Sequence, residues 1–309
     1  LKLHRRHLVV LAKWAWLVLV LGWVVAFMVT KREVIVEDLA RFSPAVLLLS
    51  TALLLLGKLA LNEAMLVSAR QFLIPLGRRD GFYIYNVAQL AKYVPGSVWQ
   101  FVSRIAMLRA RQAPAAAIRD SMIAENGWVI GSAVLLGGVL VWLGQPGFFL
   151  RLAMALAGAP PAIRTLLVSG LAVALVMGGW WGRRRWPRLR PWLVRLCPPL
   201  RAVGLLLGAW LALGASFWVC LRPFLSQGPT WSVVIGVYCL AWVAGFLVPF
   251  APAGLGVREA VLALVLDPVL DPQTSLVVVA VHRVIYLLVE VVMALVAWLA
   301  GPEPAAPVP

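Results

Sequence analysis

The chain has 309 residues, of which 62% are hydrophobic and 13% charged, and its mean hydropathy is +0.92. Soluble globular proteins carry about 25% charged residues, so the composition excludes an ordinary soluble domain and points to a polytopic helical membrane protein. The net charge of +16 reads as Lys and Arg gathered in cytoplasmic loops, with attraction to anionic headgroups as a secondary consequence; no nucleic-acid partner is expected.

The N-terminus places Lys2, Arg5 and Arg6 before an apolar run without a small-residue cleavage site, which reads as an uncleaved first span at 14–30. Further full spans are expected at 44–66, 120–143, 164–181, 202–222 and 274–300, each near the ~20 residues a bilayer crossing needs. Two other apolar stretches are broken. Residues 82–103 contain Asn86, Gln89, Lys92, Ser97 and Gln100 and are cut by Pro95-Gly96. Residues 231–266 are cut by Pro249, Pro252, Gly254 and Gly256. Proline removes a helix hydrogen bond and glycine frees the backbone, so each stretch reads as a re-entrant helical hairpin that enters and leaves on one side. Residues 301–309 are rich in Pro and Ala and read as a disordered tail. Neither Cys197, Cys220 and Cys239 nor His4, His7 and His282 have metal-site or disulfide-framework spacing, and no cofactor is expected.

Charge tests this topology. With the N-terminus in the cytoplasm, the loops 1–13, 68–81, 104–119 and 182–201 fall inside and carry 18 Lys or Arg, against six in the outside loops. The bias follows the positive-inside rule. Making 82–103 a full crossing would put the arginine-rich 183–201 outside. Making both broken stretches cross would leave the basic 104–119 and 183–201 segments both outside. Two re-entrant hairpins are the cheaper solution.

The expected order is then an internal repeat. Residues 1–145 hold two spans, a hairpin from the inside and one span. Residues 160–300 hold two spans, a hairpin from the outside and one span. Three crossings per half, an odd number, make the halves inverted. The breaks lie about 81 residues (14 to 95) and 88 residues (164 to 252) into their halves, as a duplicated unit predicts. Interrupted helices at matching places in inverted halves mark transporter binding sites.

Three strings resemble one family. They are Ala91-Lys92-Tyr93-Val94-Pro95-Gly96, the run Pro249-Phe250-Ala251-Pro252-Ala253-Gly254-Leu255-Gly256-Val257-Arg258-Glu259, and His282-Arg283-Val284-Ile285-Tyr286. Together they resemble the lysylphosphatidylglycerol synthase transmembrane region, or flippase-like, membrane proteins over nearly the whole chain. The chain departs from that pattern at Ala253, where the family usually has a second glycine. The resemblance implies movement of a polar lipid across a bacterial inner membrane, with both termini cytoplasmic. In bifunctional members an attached cytosolic domain makes the aminoacylated lipid that is moved. No polar stretch of this chain is long enough for such a domain, so it looks like the stand-alone type, with a phospholipid or polyprenyl-linked cargo.

Candidate site residues follow from charge at membrane depth, which costs about 2.5–3.5 kcal/mol on insertion scales. Arg258 and Glu259 follow the second break. Arg258 is expected to meet a lipid phosphate through its planar fork, with Glu259 balancing charge; the alternative is a Glu259 that caps the restarting helix while Arg258 reaches the interface. Arg283 and Glu290 share a face of the last span, and Glu125 is the repeat counterpart of Glu290. These carboxylates line a polar path or form interhelical ion pairs. Lys58 lies deep in the second span, with Asn62 one turn away and Glu63 at its polar end. Lys92 and Arg104 flank the first break, where the helix restarting after Gly96 could cradle a phosphate or where the two cations anchor the interface. Gly254 and Gly256 allow close backbone approach. The arginines from Arg183 to Arg201, with Trp186 and Trp192, read as a topology determinant; recruitment of a cytosolic lipid-modifying enzyme or glycosyltransferase is a further expectation for them.

Two rival functions stand beside a translocase. One is a membrane enzyme acting on a lipid phosphate, against which the sequence shows no His-x-x-x-Asp string, no Asp-x-x-Asp pair and no serine–histidine arrangement. The other is a non-transporting membrane partner of a cytosolic glycosyltransferase, bound through 182–201.

Overall fold

The computed structural model describes residues 32–93, 98–147, 192–225, 230–248, 251–266 and 270–303. The expected spans at 14–30 and 164–181, the Pro95-Gly96 pair, Pro249, the arginines from Arg183 to Arg190 and the tail from 304 lie outside the described residues.

The described residues are all-helical: α1 (Arg32–Ala40), α2 (Pro44–Gln71), α3 (Arg78–Leu90), α4 (Trp99–Ala110), α5 (Ala115–Gly144), α6 (Leu200–Leu221), α7 (Trp231–Leu247), α8 (Val257–Leu266) and α9 (Pro272–Ala300). Among the described residues, four helical stretches are long and apolar enough to cross a membrane: α2, α5, α6 with its 3-10 extension to Phe224, and α9. They coincide with the expected spans at 44–66, 120–143, 202–222 and 274–300, and support a membrane-embedded protein.

Local chemistry sets several ends. The Ser43 hydroxyl accepts from the Val46 amide at 3.3 Å, and Pro44 opens α2. Asp271 accepts from the Gln273 and Thr274 amides at 3.0 and 3.2 Å, and Pro272 opens α9. Side-chain oxygens here take amide protons that the first turn cannot use, and proline sits where no donor is needed. Gly301, at φ 65°, closes α9.

Sequence placed the first hairpin at 82–103 and treated 104–119 as a loop. The two helices run instead from Arg78 to Ala110, and α5 begins at Ala115. Arg104, expected just after the hairpin either to add charge to a phosphate site or to anchor the interface, is therefore a helix residue only 7% exposed. The physical reason is a partner: Glu125 of α5 takes its guanidinium in a two-pronged ion pair.

Packing is reciprocal between the two ends of the chain. Helix α2 packs on α6, α5 on α7, and α9 on α3. One close backbone approach is at Gly137 and Gly236, where a Cβ on either residue would sit 2.9 or 2.7 Å from the other's carbonyl oxygen. Small residues that let backbones touch are a membrane-helix device.

Helices α3 and α4 share one base. Arg111, just after α4, pairs at 2.6 Å with Asp80 near the start of α3. Arg79 donates to the carbonyls of Ala300 and Gly301 at the end of α9. Residues Gly301–Glu303, assigned by sequence to the tail, join this base: Glu303 donates its amide to Asp80 at 2.8 Å and accepts from Arg111 at 2.9 Å. The far end of α3 winds into a 3-10 turn at Ala91–Tyr93, which touches a second turn at Pro252–Gly254 between α7 and α8.

Candidate functional site

The two turns meet over α9, and most of the singled-out charges gather there. A cavity of about 230 Å³ is lined by Lys58, Lys92, Arg104, Glu125, Gly254, Arg258 and Arg283, with Tyr85, Tyr286, Gln89, Gln100 and Asn126. Its remaining wall is apolar and includes Leu61, Val98, Phe101, Val129, Trp242 and Phe246.

Glu290 anchors one side. Its carboxylate pairs with Lys58 of α2, takes a second ammonium from Lys92 at 2.5 Å and accepts from the Tyr93 hydroxyl at 2.6 Å. Lys92 also donates to Gln89 at 3.3 Å. Both Lys58 and Glu290 are 4% exposed, and a buried carboxylate persists as an ion only when paired and hydrogen-bonded. Asn62, one turn from Lys58, accepts from Asn86 of α3 at 3.5 Å. Glu63, expected at the polar end of its span, is elsewhere: it lies about two turns before the end of α2, between Arg78 and Arg201.

Arg283 and Glu259 hold the second turn. Arg283 pairs with Glu259 at 3.3 Å and donates to the Ala253 carbonyl at 2.9 Å. The other oxygen of Glu259 accepts the Gly256 amide at 2.7 Å. Glu259 thus caps α8 and also balances a cation. The backbone around it is left-handed: Ala253, Gly254 and Gly256 have φ of 51°, 70° and 87°. Gly254 is the residue that must lack a side chain, because a Cβ there would lie 2.9 Å from the Gly245 Cα of α7.

Arg258 differs from every other cation of the cavity. It is buried, only 4% exposed. Its guanidinium carbon lies 4.4 Å from the Tyr238 ring centre and 5.0 Å from that of Tyr286. Among the described residues it has no carboxylate within 4.0 Å, whereas Lys58, Lys92, Arg104 and Arg283 each have one. Tyr286 is shared further, with Lys58 at 4.3 Å, Lys92 at 5.5 Å and Arg283 at 5.5 Å from its ring. Aromatic faces attract cations electrostatically, and they do so without neutralising them.

The site therefore brings together Lys58, Lys92, Arg104, Glu125, Arg258, Glu259, Arg283, Glu290, Gly254 and Gly256. Gly96 lies outside the described residues. Sequence reasoning missed the tyrosines as a group. Tyr286 stands three residues after Arg283 and four before Glu290, so helical spacing puts all three on one stripe. Tyr238 lies in an unbroken apolar run, where no local signal marks it.

A second buried polar cluster forms where sequence showed no serine–histidine arrangement. The Ser216 hydroxyl lies 3.1 Å from His282 Nε2 and 2.8 Å from the Ser50 hydroxyl, which accepts from Cys220 at 3.2 Å. None of these four side chains lines the cavity. They tie α2, α6 and α9 together.

No protein-family model matches the chain, and no curated protein matches it.

Proposed function

We propose that this protein is a lipid translocase of the inner membrane, moving a polar or anionic lipid by alternating access, with the head in the cavity and the tails in the bilayer. The observation that carries this reading is Arg258, a buried cation facing the cavity, with aromatic faces and, among the described residues, no carboxylate within 4.0 Å. Burying an unneutralised charge is costly, and an anion entering the cavity recovers that cost.

The architecture assigned to this function is six spans, those at 14–30 and 164–181 included, and two opposed re-entrant hairpins in an inverted repeat. Several distances support it. At about 1.5 Å per residue, α3 and α4 are about 20 and 18 Å long, short of a ~30 Å hydrocarbon core. Their base is tied to the end of α9 at Ala300 and Gly301, while their turn reaches Glu290, ten residues earlier. That depth is about 15 Å, half of the bilayer. The second turn meets α9 at Arg283, two helical turns further toward the opposite end. The reciprocal pairs α5–α7 and α9–α3 are those an inverted duplication produces. The resemblance in the three motif strings points the same way.

A lipid cargo is further favoured by the apolar wall. Phe101 of α4 and Phe246 of α7 meet edge to face at 6.5 Å, and Val98, Trp99, Val102 and Leu247 nearby are exposed. A head in the cavity would thus adjoin an apolar exterior.

The test is reconstitution into liposomes containing a labelled anionic lipid, with sidedness read by an impermeant quencher. Wild type is expected to equilibrate the label across the bilayer, and Arg258→Ala to fall to the protein-free rate. Unchanged sidedness with wild type for every anionic lipid, or full activity in Arg258→Ala, overturns the reading.

A further inference from the structure

We infer that the headgroup this cavity takes is a phosphomonoester dianion rather than a singly charged phosphodiester; the inference rests on the translocase reading above. It follows from the charge left over when the ion pairs are closed. Among the described residues, five cations converge on the cavity: Lys58, Lys92, Arg104, Arg258 and Arg283. Three carboxylates answer them. Glu125 neutralises Arg104, Glu259 neutralises Arg283, and Glu290 is shared by two lysines. The formal excess is two positive charges, one at Arg258 and one at the doubly used Glu290. The residues of the two turns not described, 94–97 and 249–250, contain no ionisable side chain, so the turns themselves add nothing to this balance.

Hydrogen-bonding capacity points the same way. A guanidinium has five N–H donors, and on Arg258 the neighbouring side-chain acceptor is the Tyr238 hydroxyl, with no carboxylate within 4.0 Å among the described residues. The Nε of Arg104 is buried and without an acceptor, although its other nitrogens bind Glu125. Buried donors are nearly always satisfied. A terminal phosphate offers three oxygens and up to two negative charges, which matches both the surplus charge and the surplus donors. A diester offers two such oxygens and a single charge. A head carrying an added ammonium meets repulsion from the same two centres.

The experiment compares two lipids of nearly equal size. Dioctanoyl phosphatidate and dioctanoyl phosphatidylmethanol differ by one methyl, which converts monoester to diester. Affinity for the purified full chain in neutral detergent is measured by calorimetry at pH 8, with inorganic phosphate as the third ligand. Phosphatidate is expected to bind at least tenfold more tightly than phosphatidylmethanol, and inorganic phosphate far more weakly than either. In Arg258→Gln the preference for phosphatidate is expected to shrink toward unity, because one of the two surplus charges is gone. Equal affinity of wild type for the two lipids overturns the dianion assignment and leaves a translocase of anionic lipids standing. Inorganic phosphate binding as tightly as phosphatidate overturns the lipid assignment in favour of a soluble anion. Failure of both lipids to bind overturns the translocase reading together with this inference.

Discussion

The two helix turns that meet over α9 solve opposite problems. The first, at Ala91–Tyr93, delivers Lys92 and Tyr93 to Glu290, where ammonium, phenol and carboxylate satisfy one another. The same helix pair supplies Arg104, whose two terminal nitrogens bind Glu125. The second, at Pro252–Gly254, is fixed by Arg283 and Glu259, yet it leads directly to Arg258, which has aromatic faces and, among the described residues, no carboxylate within 4.0 Å. One turn gives its cation a carboxylate, though Glu290 serves two lysines, and latches the bundle; the other leads to a cation that has none. Burial alone therefore does not mark a binding residue in this molecule. The discriminating property is whether the buried charge has been neutralised by the protein itself.

Breaking the latch should have the largest effect. Glu290→Ala leaves both Lys58 and Lys92 without their carboxylate, and removing one partner of a buried pair costs about 3–5 kcal/mol. The expected outcome is a large drop in the thermal midpoint of the detergent-solubilised protein. A loss below about 1 kcal/mol would mean that the three-part cluster carries no stability. Arg104 and Glu125 sharpen the point through a double-mutant cycle. Each single change to methionine should cost about 3–5 kcal/mol, while the double change should be close to neutral because no uncompensated charge remains. Additive losses would contradict the pairing.

Arg258→Met should give a smaller stability effect and a larger functional one. Methionine loses cation–π attraction of about 2 kcal/mol but also removes an unneutralised buried charge, so the net change is expected within about 1 kcal/mol. Lipid movement should nevertheless fall to background. A collapse of stability comparable to that of Glu290→Ala would place Arg258 with the latch, and the contrast between the two turns would disappear.

Much of this contrast was legible in the sequence, and the illegible part has identifiable causes. The spans were readable because roughly twenty apolar residues in a row have few other uses. Arg258, Arg283, Glu290, Glu125 and Lys58 stood out because charge at membrane depth is costly. Their pairing was hidden: Lys58 and Glu290 are 232 residues apart in sequence, and no local pattern joins them. Arg104 was assigned to a loop because its neighbourhood is basic; only Glu125, on a different helix, makes its burial affordable. Tyr238 was invisible for a different reason, since an aromatic in an apolar run has the signature of ordinary packing.

Ala253 gives the smallest predicted effect and the most local one. It stands at φ 51° and ψ 25°, in the left-handed region where a Cβ crowds the following carbonyl at about 1–2 kcal/mol. Its own carbonyl accepts from Arg283 at 2.9 Å, so the conformation is held by a contact rather than by preference. Ala253→Gly removes the steric cost and adds back conformational freedom to the unfolded chain, a partial offset of about 0.4–1 kcal/mol. The net expectation is a gain of a few tenths to about 1 kcal/mol, read as a raised thermal midpoint with lipid movement intact. A loss of stability would show that the turn is not left-handed at this residue, and the route by which Arg258 is delivered to the cavity would then have to be redrawn.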